Sequence, residues 1–321
     1  MKKLDKINKR ILFELDKNAR IPETQLAKLV GKSKESIRYR IKKLEEEQII
    51  QGFSIWIDPV RIGYKPAKFY LNIANIPSKR KELIDFVKKD KRLFWLGLAE
   101  GAWNIGLTFF VKSNKEFFEL KKEIQSKFGE LILEINTAAP VGVYVCDRTF
   151  LHQTTAEWKC IFGEEETHQI DDLDKQILKE LFKNSRVSVV EIARNHNSTI
   201  DLVRNHMKKL EQKNIIFRYK VITNHNLLGY EFFKTFLYFN NLTKEDEIKL
   251  MEYAKQEPKI VHFLKQISSW DIELEIMCES YLEYNEIIQK LTEEFAKSIR
   301  KVETAIMSED YVFPAEKMVF E

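Results

Sequence analysis

A chain of 321 residues with 44% hydrophobic and 32% charged residues has material for several small cores, and this composition excludes a disordered, fibrous or low-complexity protein. No run approaches the roughly 18 apolar residues of a membrane helix, and MKKLDKINKR opens an amphipathic pattern rather than a secretory signal, so a cytoplasmic protein is expected. Cys146, Cys160 and Cys278, an odd number without a CxxC pairing, suggest neither a disulfide framework nor a thiolate metal site, and no cofactor or metal is expected.

In chain order, Ile7, Ile11, Leu12 and Leu15 form one stripe of a helix over 5–17 that ends near Asn18-Ala19-Arg20. Pro22 suits the first turn of a second helix, with Leu26, Ala27 and Val30 inward and Gly31 breaking it. Ser33 is placed to cap a third helix, whose Ile37, Ile41 and Leu44 fall at i, i+4 and i+7 and must face a core. The rest of that helix carries Lys34, Ser36, Arg38, Tyr39, Arg40, Lys42 and Lys43, groups that reach phosphates and base edges when a helix lies in a major groove.

Phe53 to Ile57 alternates as a short strand ending at Asp58-Pro59. Strands are then expected near 68–75, 93–99, 103–111 and 131–146, with helices near 78–89 and 114–127, the second opening on a Ser113 and Glu116 capping box. That order is βαββαβ, the ferredoxin-like plan with two helices on one face of an antiparallel sheet.

The same text is then repeated. INKRILFELDKNAR over LDKQILKELFKNSR sets Ile11 on Ile177, Leu15 on Leu181, Asn18 on Asn184, Arg20 on Arg186 and Arg38 on Arg204, at a constant offset of 166 that becomes 167 by Trp103 and Trp270. A period this long means duplication of a whole unit rather than a solenoid. In the second copy, Ser188 with Glu191 and Ser198 with Asp201 read as capping boxes for the second and third helices, and Ser280 with Glu283 repeats the later one. The second set of strands is expected near 232–240, 260–267, 270–278 and 299–312. Residues 147–170 match nothing in the repeat and read as linker with one added strand, and FPAEKMVFE reads as a loosely ordered tail.

Charge follows the repeat. Residues 1–53 carry a net +6 and 171–222 a net +4, which leaves the remainder at −6, so the positive charge is focused on two segments. Such focusing suits a protein that meets a polyanion at two places.

The fold class is therefore α+β, two tandem copies of a helix-turn-helix domain followed by a ferredoxin-like βαββαβ domain. The expected divisions are 1–53 and 171–222 for the helical modules, 54–146 and 223–321 for the sheets, and 147–170 for the linker.

The set of motifs resembles the Lrp/AsnC (feast/famine, leucine-responsive regulator) family of transcription factors. It consists of the opening helix at Leu173-Asp174 (Ile7-Asn8 in the first copy), the N-x-R element at Asn18-Ala19-Arg20 and Asn184-Ser185-Arg186, the run from Arg40 to Ile50, and the later Gly-Tyr pairs. The likeness covers nearly all of both halves. It implies DNA-binding modules joined to sheet domains of the RAM type, which dimerise and often bind an amino acid or related metabolite. With two units in one chain, an intramolecular pseudo-dimer is expected, with double-stranded DNA as its partner and an amino-acid or metabolite effector and further copies of the chain as additional ones the resemblance allows.

The expected DNA contacts are Ser33, Lys34, Ser36, Arg38, Tyr39, Arg40 and Lys43 in the first copy, and Thr199, Arg204, Asn205, His206 and Lys208 in the second. Because Lys34, Tyr39 and Arg40 correspond to Ile200, Asn205 and His206, the two helices should read an asymmetric site. Asn205 has the side chain that pairs with adenine, and Arg38 and Arg204 are placed on phosphate ahead of base. The family's effector turn, G-x-x-D, corresponds to Glu100, Gly101 and Asn104 and to Ser268 and Asp271, altered in both copies. The alternative reading makes Trp103 and Trp270 core aromatics beside hairpin turns. No catalytic residues stand out. Siroheme decarboxylases share this architecture and form the catalytic alternative, yet the six histidines form no visible cluster and no Gly-rich loop or HExxH is present.

Overall fold

The computed structural model describes residues 4–313, apart from 153, 156, 164 and 165 and the side chain of residue 225. The first half runs α1 Lys6–Lys17, α2 Glu23–Val30, α3 Lys34–Glu46, β1 Ile50–Ile57, β2 Lys65–Ile73, α4 Pro77–Val87, β3 Leu93–Gly101, β4 Ile105–Val111, α5 Asn114–Phe128 and β5 Ile132–Cys146. After a short strand β6 (Trp158–Ile161), the second half runs α6 Asp172–Lys183, α7 Val189–Asn195, α8 Ile200–Gln212, β7 Ile216–Thr223, a single turn α9 (His225–Leu228), β8 Glu231–Phe239, α10 Lys244–Gln256, β9 Ile260–Ile267, β10 Ile272–Cys278, α11 Tyr281–Glu294 and β11 Ile299–Val312. The chain thus has two helix-turn-helix modules and two ferredoxin-like sheets.

Local chemistry sets the boundaries. Asp5, Ser33, Ser113, Ser188 and Ser280 each accept a backbone N–H three residues on, as N-caps do. Gly31 ends α2 in the left-handed conformation at φ 68°. Three details differ from the expectation. Pro22 stands at the N-cap, one residue outside α2. Thr199 rather than Ser198 caps α8, accepting from Leu202 N, because the helix begins at Ile200, and Asp201 pairs with Arg204 instead. Glu116 and Glu283 reach the N–H of the residue before the cap, Lys112 and Glu279.

Each sheet follows the order β5-β2-β4-β3 or β11-β8-β10-β9. The two sheets share edges, since β11 continues past its own sheet to pair with β3, and β5 continues to pair with β9. All eight strands therefore close into one antiparallel circuit, which leaves no edge within it unpaired. This explains the unusual lengths of β5 and β11, 15 and 14 residues. The helices cover the outer faces over cores such as Phe69, Leu107 and Ile124, or Phe233, Ile276 and Leu291. The linker strand β6 extends the β5 side, pairing Val143 to Cys146.

The helical modules are clasped to the opposite halves. β1 pairs antiparallel with β7 in a separate two-stranded ribbon. Ala19 N donates to Tyr219 O and Ser185 N to Phe53 O, at 2.9 and 3.0 Å, while Asp58 N meets Ile215 O and Asn224 N meets Ile49 O. These bonds come in pairs related by the offset of 166, so the duplication seen in sequence is also a repeat of contacts. Phe313 still donates its N–H to Phe94 O at 2.7 Å, and the rest of the expected tail lies outside the described residues. No helix among the described residues is long and apolar enough to cross a membrane.

Candidate nucleic-acid interface

The third helix of each module is anchored by one buried stripe, Ile37, Ile41 and Leu44 in α3 and Val203, Met207 and Leu210 in α8. The turns before them match. Lys32 N donates to Ala27 O and Ser198 N to Ala193 O, with Gly31 and Asn197 both in the left-handed region. With its stripe fixed in the core, each helix presents the opposite side to solvent.

On α3 that side carries Lys34, Arg38, Tyr39 and Lys43, with Ser33 at its cap and Ser36 half-buried beside it. On α8 it carries Arg204, Asn205 and Lys208, with Thr199 at the cap. Arg38 is held by Glu23 of α2, its Nε and Nη2 donating to Oε1 and Oε2 at 3.4 and 2.7 Å. The hydrogen bond from that guanidinium keeps the Glu23 carboxyl below its ordinary range. Arg204 is held by Asp201 on its own helix at 2.7 Å. Both pairs are solvent-exposed on the arginine side, so they orient the guanidinium at little cost to its release.

Two expected contact residues point elsewhere. Arg40 Nη1 donates to Asp5 and Asn8 of α1, at 2.7 and 2.8 Å. Its counterpart His206 lies 2.8 Å from the fully buried Asp174 of α6, which Lys209 also reaches at 3.2 Å. Each residue sits at the flank of the buried stripe and ties the third helix to the first. Asp171, Asp174 and His206 converge closely enough to hold a cation, within 4.8 Å of one another. A capping box between the two aspartates, with His206 and Lys209 as further partners, already accounts for the group.

At the two altered effector turns, Asn104 Oδ1 accepts from Ile73 N at 3.0 Å and Asp271 Oδ2 accepts from Phe239 N at 2.7 Å. These are equivalent braces at the ends of β2 and β8. Ser268 Oγ donates to Trp270 O, Gly101 adopts φ 114°, and Glu100 is exposed. Trp103 and Trp270 are buried, each with its ring centroid 5.2 Å from that of Tyr70.

Sequence reasoning missed two buried ionic groups. Inside the strand circuit Glu273 accepts from Lys68, Lys234, Tyr70 and Gln266 at 2.8–3.1 Å, and Glu275 joins Lys234 to His262. Burial alone would raise both carboxyls, but Lys68 and Lys234 hold Glu273 down, as Lys234 and His262 do Glu275. Between ribbon and circuit, Asp16 of α1 lies near Arg148, Arg218 and Lys220 at 3.4–3.9 Å, while Arg218 also meets Asp147 at 3.1 Å. The linker residues Asp147 and Arg148 are thereby fixed to the core.

Duplicated helix-turn-helix modules, each with a capped, basic and solvent-facing third helix, define the class as DNA-binding regulators. A family model described as winged helix-turn-helix DNA-binding matches residues 4–51 and 170–216. The chain is 30% identical over 131 residues to the HTH-type transcriptional regulator LrpA of Pyrococcus abyssi, spanning 40% of this chain and 88% of that one. It is 45% identical over 60 residues to a proline dehydrogenase transcriptional activator of Rhodobacter capsulatus, spanning 19% and 39%. The chain belongs to the Lrp/AsnC family of transcriptional regulators. Among solved structures, the siroheme decarboxylase NirDL superposes with a TM-score of 0.64 over 98% of this chain and 96% of that one. At 13% identity that likeness is one of fold.

Proposed function

We propose that the protein is a sequence-specific transcriptional regulator acting in the cytoplasm as a covalent pseudo-dimer, whose α3 and α8 read the two unlike halves of an asymmetric DNA site. The observation that carries this reading is the pair of exposed basic third helices on modules clasped to each other through β1 and β7. Ser33, Lys34, Ser36, Arg38, Tyr39 and Lys43 serve the first half-site, and Thr199, Arg204, Asn205 and Lys208 the second. Arg40 and His206 act as positioning residues that set the tilt of each helix through α1 and α6.

Genome-fragment selection followed by footprinting at two salt concentrations tests the reading, with a discrete asymmetric footprint as the expected result. Replacing Lys34 and Arg38 with alanine should lower the salt slope by about 0.9 for each phosphate no longer neutralised. Binding equal to the parent's at every salt concentration would remove α3 as the reader. An effector of the amino-acid class belongs to the same reading, with Glu100 and the backbone near Gly101 and Ser268 as its contacts, since Asn104 and Asp271 are committed to strand ends. A thermal-shift series with free amino acids tests it, no shift at millimolar concentration counting against it.

A catalytic reading is favoured by one observation, the gathering of Lys68, Tyr70, Lys234, His262, Glu273 and Glu275 inside the circuit. There the cations and carboxylates neutralise one another, which suits a structural core better than a site awaiting substrate acids. Absorption titration with an iron-uroporphyrin decides between them, an unchanged spectrum excluding the catalytic alternative.

A further inference from the structure

The N-x-R elements of the two modules occupy equivalent positions, yet their arginines are used differently. Arg20 Nη1 donates to Ser185 O and Val187 O, at 2.6 and 2.8 Å, while its guanidinium lies 5.5 Å from the ring centroid of Tyr219. It is consumed in joining the first module to the turn of the second. Arg186 instead lies over Phe53, 4.9 Å from its centroid, and among the described residues its guanidinium has no hydrogen-bond or ion-pair partner.

Arg186 lines a groove of about 320 Å³ that opens between the modules and contains Arg38 and Lys42 of α3. Glu23 and Glu45 also line it, but Glu23 is already neutralised by Arg38. The counterpart of Phe53 is Tyr219, whose hydroxyl donates to Glu211 at 2.5 Å, so the equivalent position on the other side is bridged where this one is open. Stacking on an aromatic face fixes the plane of a guanidinium and leaves its N–H edges turned outward, the arrangement that receives two oxygens of a phosphate. Of its three cations, Arg38 is paired with Glu23 and Lys42 with Glu46 at 3.7 Å, so among the described residues Arg186 is the one whose guanidinium has no hydrogen-bonded or ion-paired carboxylate.

We propose that Arg186, from the second module, contacts a backbone phosphate of the half-site read by α3 of the first. This rests on the DNA-binding reading above and adds a further source of asymmetry, because Arg20 is not free to make the matching contact. The first half-site would gain a phosphate clamp from the opposite module, and the second would not.

The test uses the full chain on a DNA site enriched by selection, with binding measured by fluorescence anisotropy across a salt series. R186Q should reduce the magnitude of the salt slope by about 0.9 and weaken binding about eightfold at 0.1 M salt, the factor that follows from that slope. R186K keeps the charge, so it should retain the slope and lose only the part of the affinity due to the planar fork. A methylphosphonate placed at the contacted phosphate should lower the slope of the parent and leave that of R186Q unchanged. A parent that binds DNA with the same slope as R186Q overturns the proposal while leaving the regulator reading intact. A parent that binds no DNA overturns both. Titration with inorganic phosphate, read from the Arg186 Nε–H resonance, separates the remaining source, since saturation below millimolar phosphate with an unchanged DNA slope would make this a free-phosphate site and overturn the proposal.

Discussion

Lys220 should make the fold more stable as pH rises from neutral to alkaline, the reverse of the usual behaviour of a lysine that gains a partner. Its side chain is 14% exposed and its Nζ lies 3.7 Å from the ring centroid of Trp56. Burial is the largest influence on it and lowers its pKa, Asp16 at 3.9 Å opposes that, and Arg148 and Arg218 reinforce it, leaving the value at about 7 against 10.5. Between those two values the unfolded chain binds a proton that the folded chain has released. Stability therefore climbs with pH across that window, and the full cost of burying the amine is present below about pH 7. A shift of this size corresponds to on the order of 5 kcal/mol, with a limiting slope of about 1.4 kcal/mol per pH unit. Lys220→Met removes the titration while Asp16 keeps Arg148 and Arg218. Urea unfolding of both proteins at pH 7.5 and 9.5 is the assay, and the parent should gain about 2–3 kcal/mol relative to the variant between those values. Stability differences equal within about 0.5 kcal/mol at the two pH values would refute the assignment of a neutral, desolvated amine to Lys220.

Further substitutions probe the strand circuit. Glu273→Gln leaves Lys68 and Lys234 facing Glu275 alone in a buried interior, and should cost about 3–5 kcal/mol in urea unfolding, part of it recovered when Lys68→Met is added. A cost near zero would mean that water reaches these groups. Gly101→Ala sets a Cβ 2.4 Å from Thr304 O at φ 114°, so it should lose at least about 2 kcal/mol, whereas Gly31→Ala, at φ 68° with nothing within 4 Å, should lose about 1 kcal/mol. Equal midpoint shifts for the two would remove the close β3 to β11 approach as the cause.

Much of this architecture was legible because it depends on local rules. Periodicity, capping serines and the offset of 166 located both modules and both βαββαβ units, and the exposed side of α3 followed from its three buried residues. Closure of the circuit was not legible: β5 changes partner at Ala138 and Ala139, beside Pro140 and the Pro140–Gly142 bulge, which mark a break in pairing without naming the new partner, and β11 carries neither Pro nor Gly. The interior charges were hidden for the same reason. In Glu273-Leu274-Glu275-Ile276 the alternation reads as a strand with one wet face, and only the closed circuit turns that face inward. At the DNA side, Arg40 and His206 carry suitable chemistry for DNA, but their place at the edge of the apolar stripe brings them within reach of α1 and α6. That distinction depends on the angle between helices, which sequence spacing does not contain.

The two halves share their framework and differ where they meet. Lys68 and Lys234 occupy equivalent positions and both reach Glu273, whose own counterpart in the first half is Gly106. Glu275 and His262 correspond likewise to Thr108 and Trp95, and Trp95 occupies the space above Gly97 and Gly106, where a Cβ would lie 2.4–2.7 Å from its ring. A symmetric dimer has no access to this solution. A glutamate at one such position would appear at the other as well, bringing two carboxylates and their partners into the space that Trp95 now fills. Joining two units in one chain lets a single carboxylate serve two lysines while an indole packs opposite. The same freedom at the surface lets Arg20 bond across the module junction while Arg186 packs over Phe53, so the asymmetry of the interior and that of the module junction have one origin in the fusion.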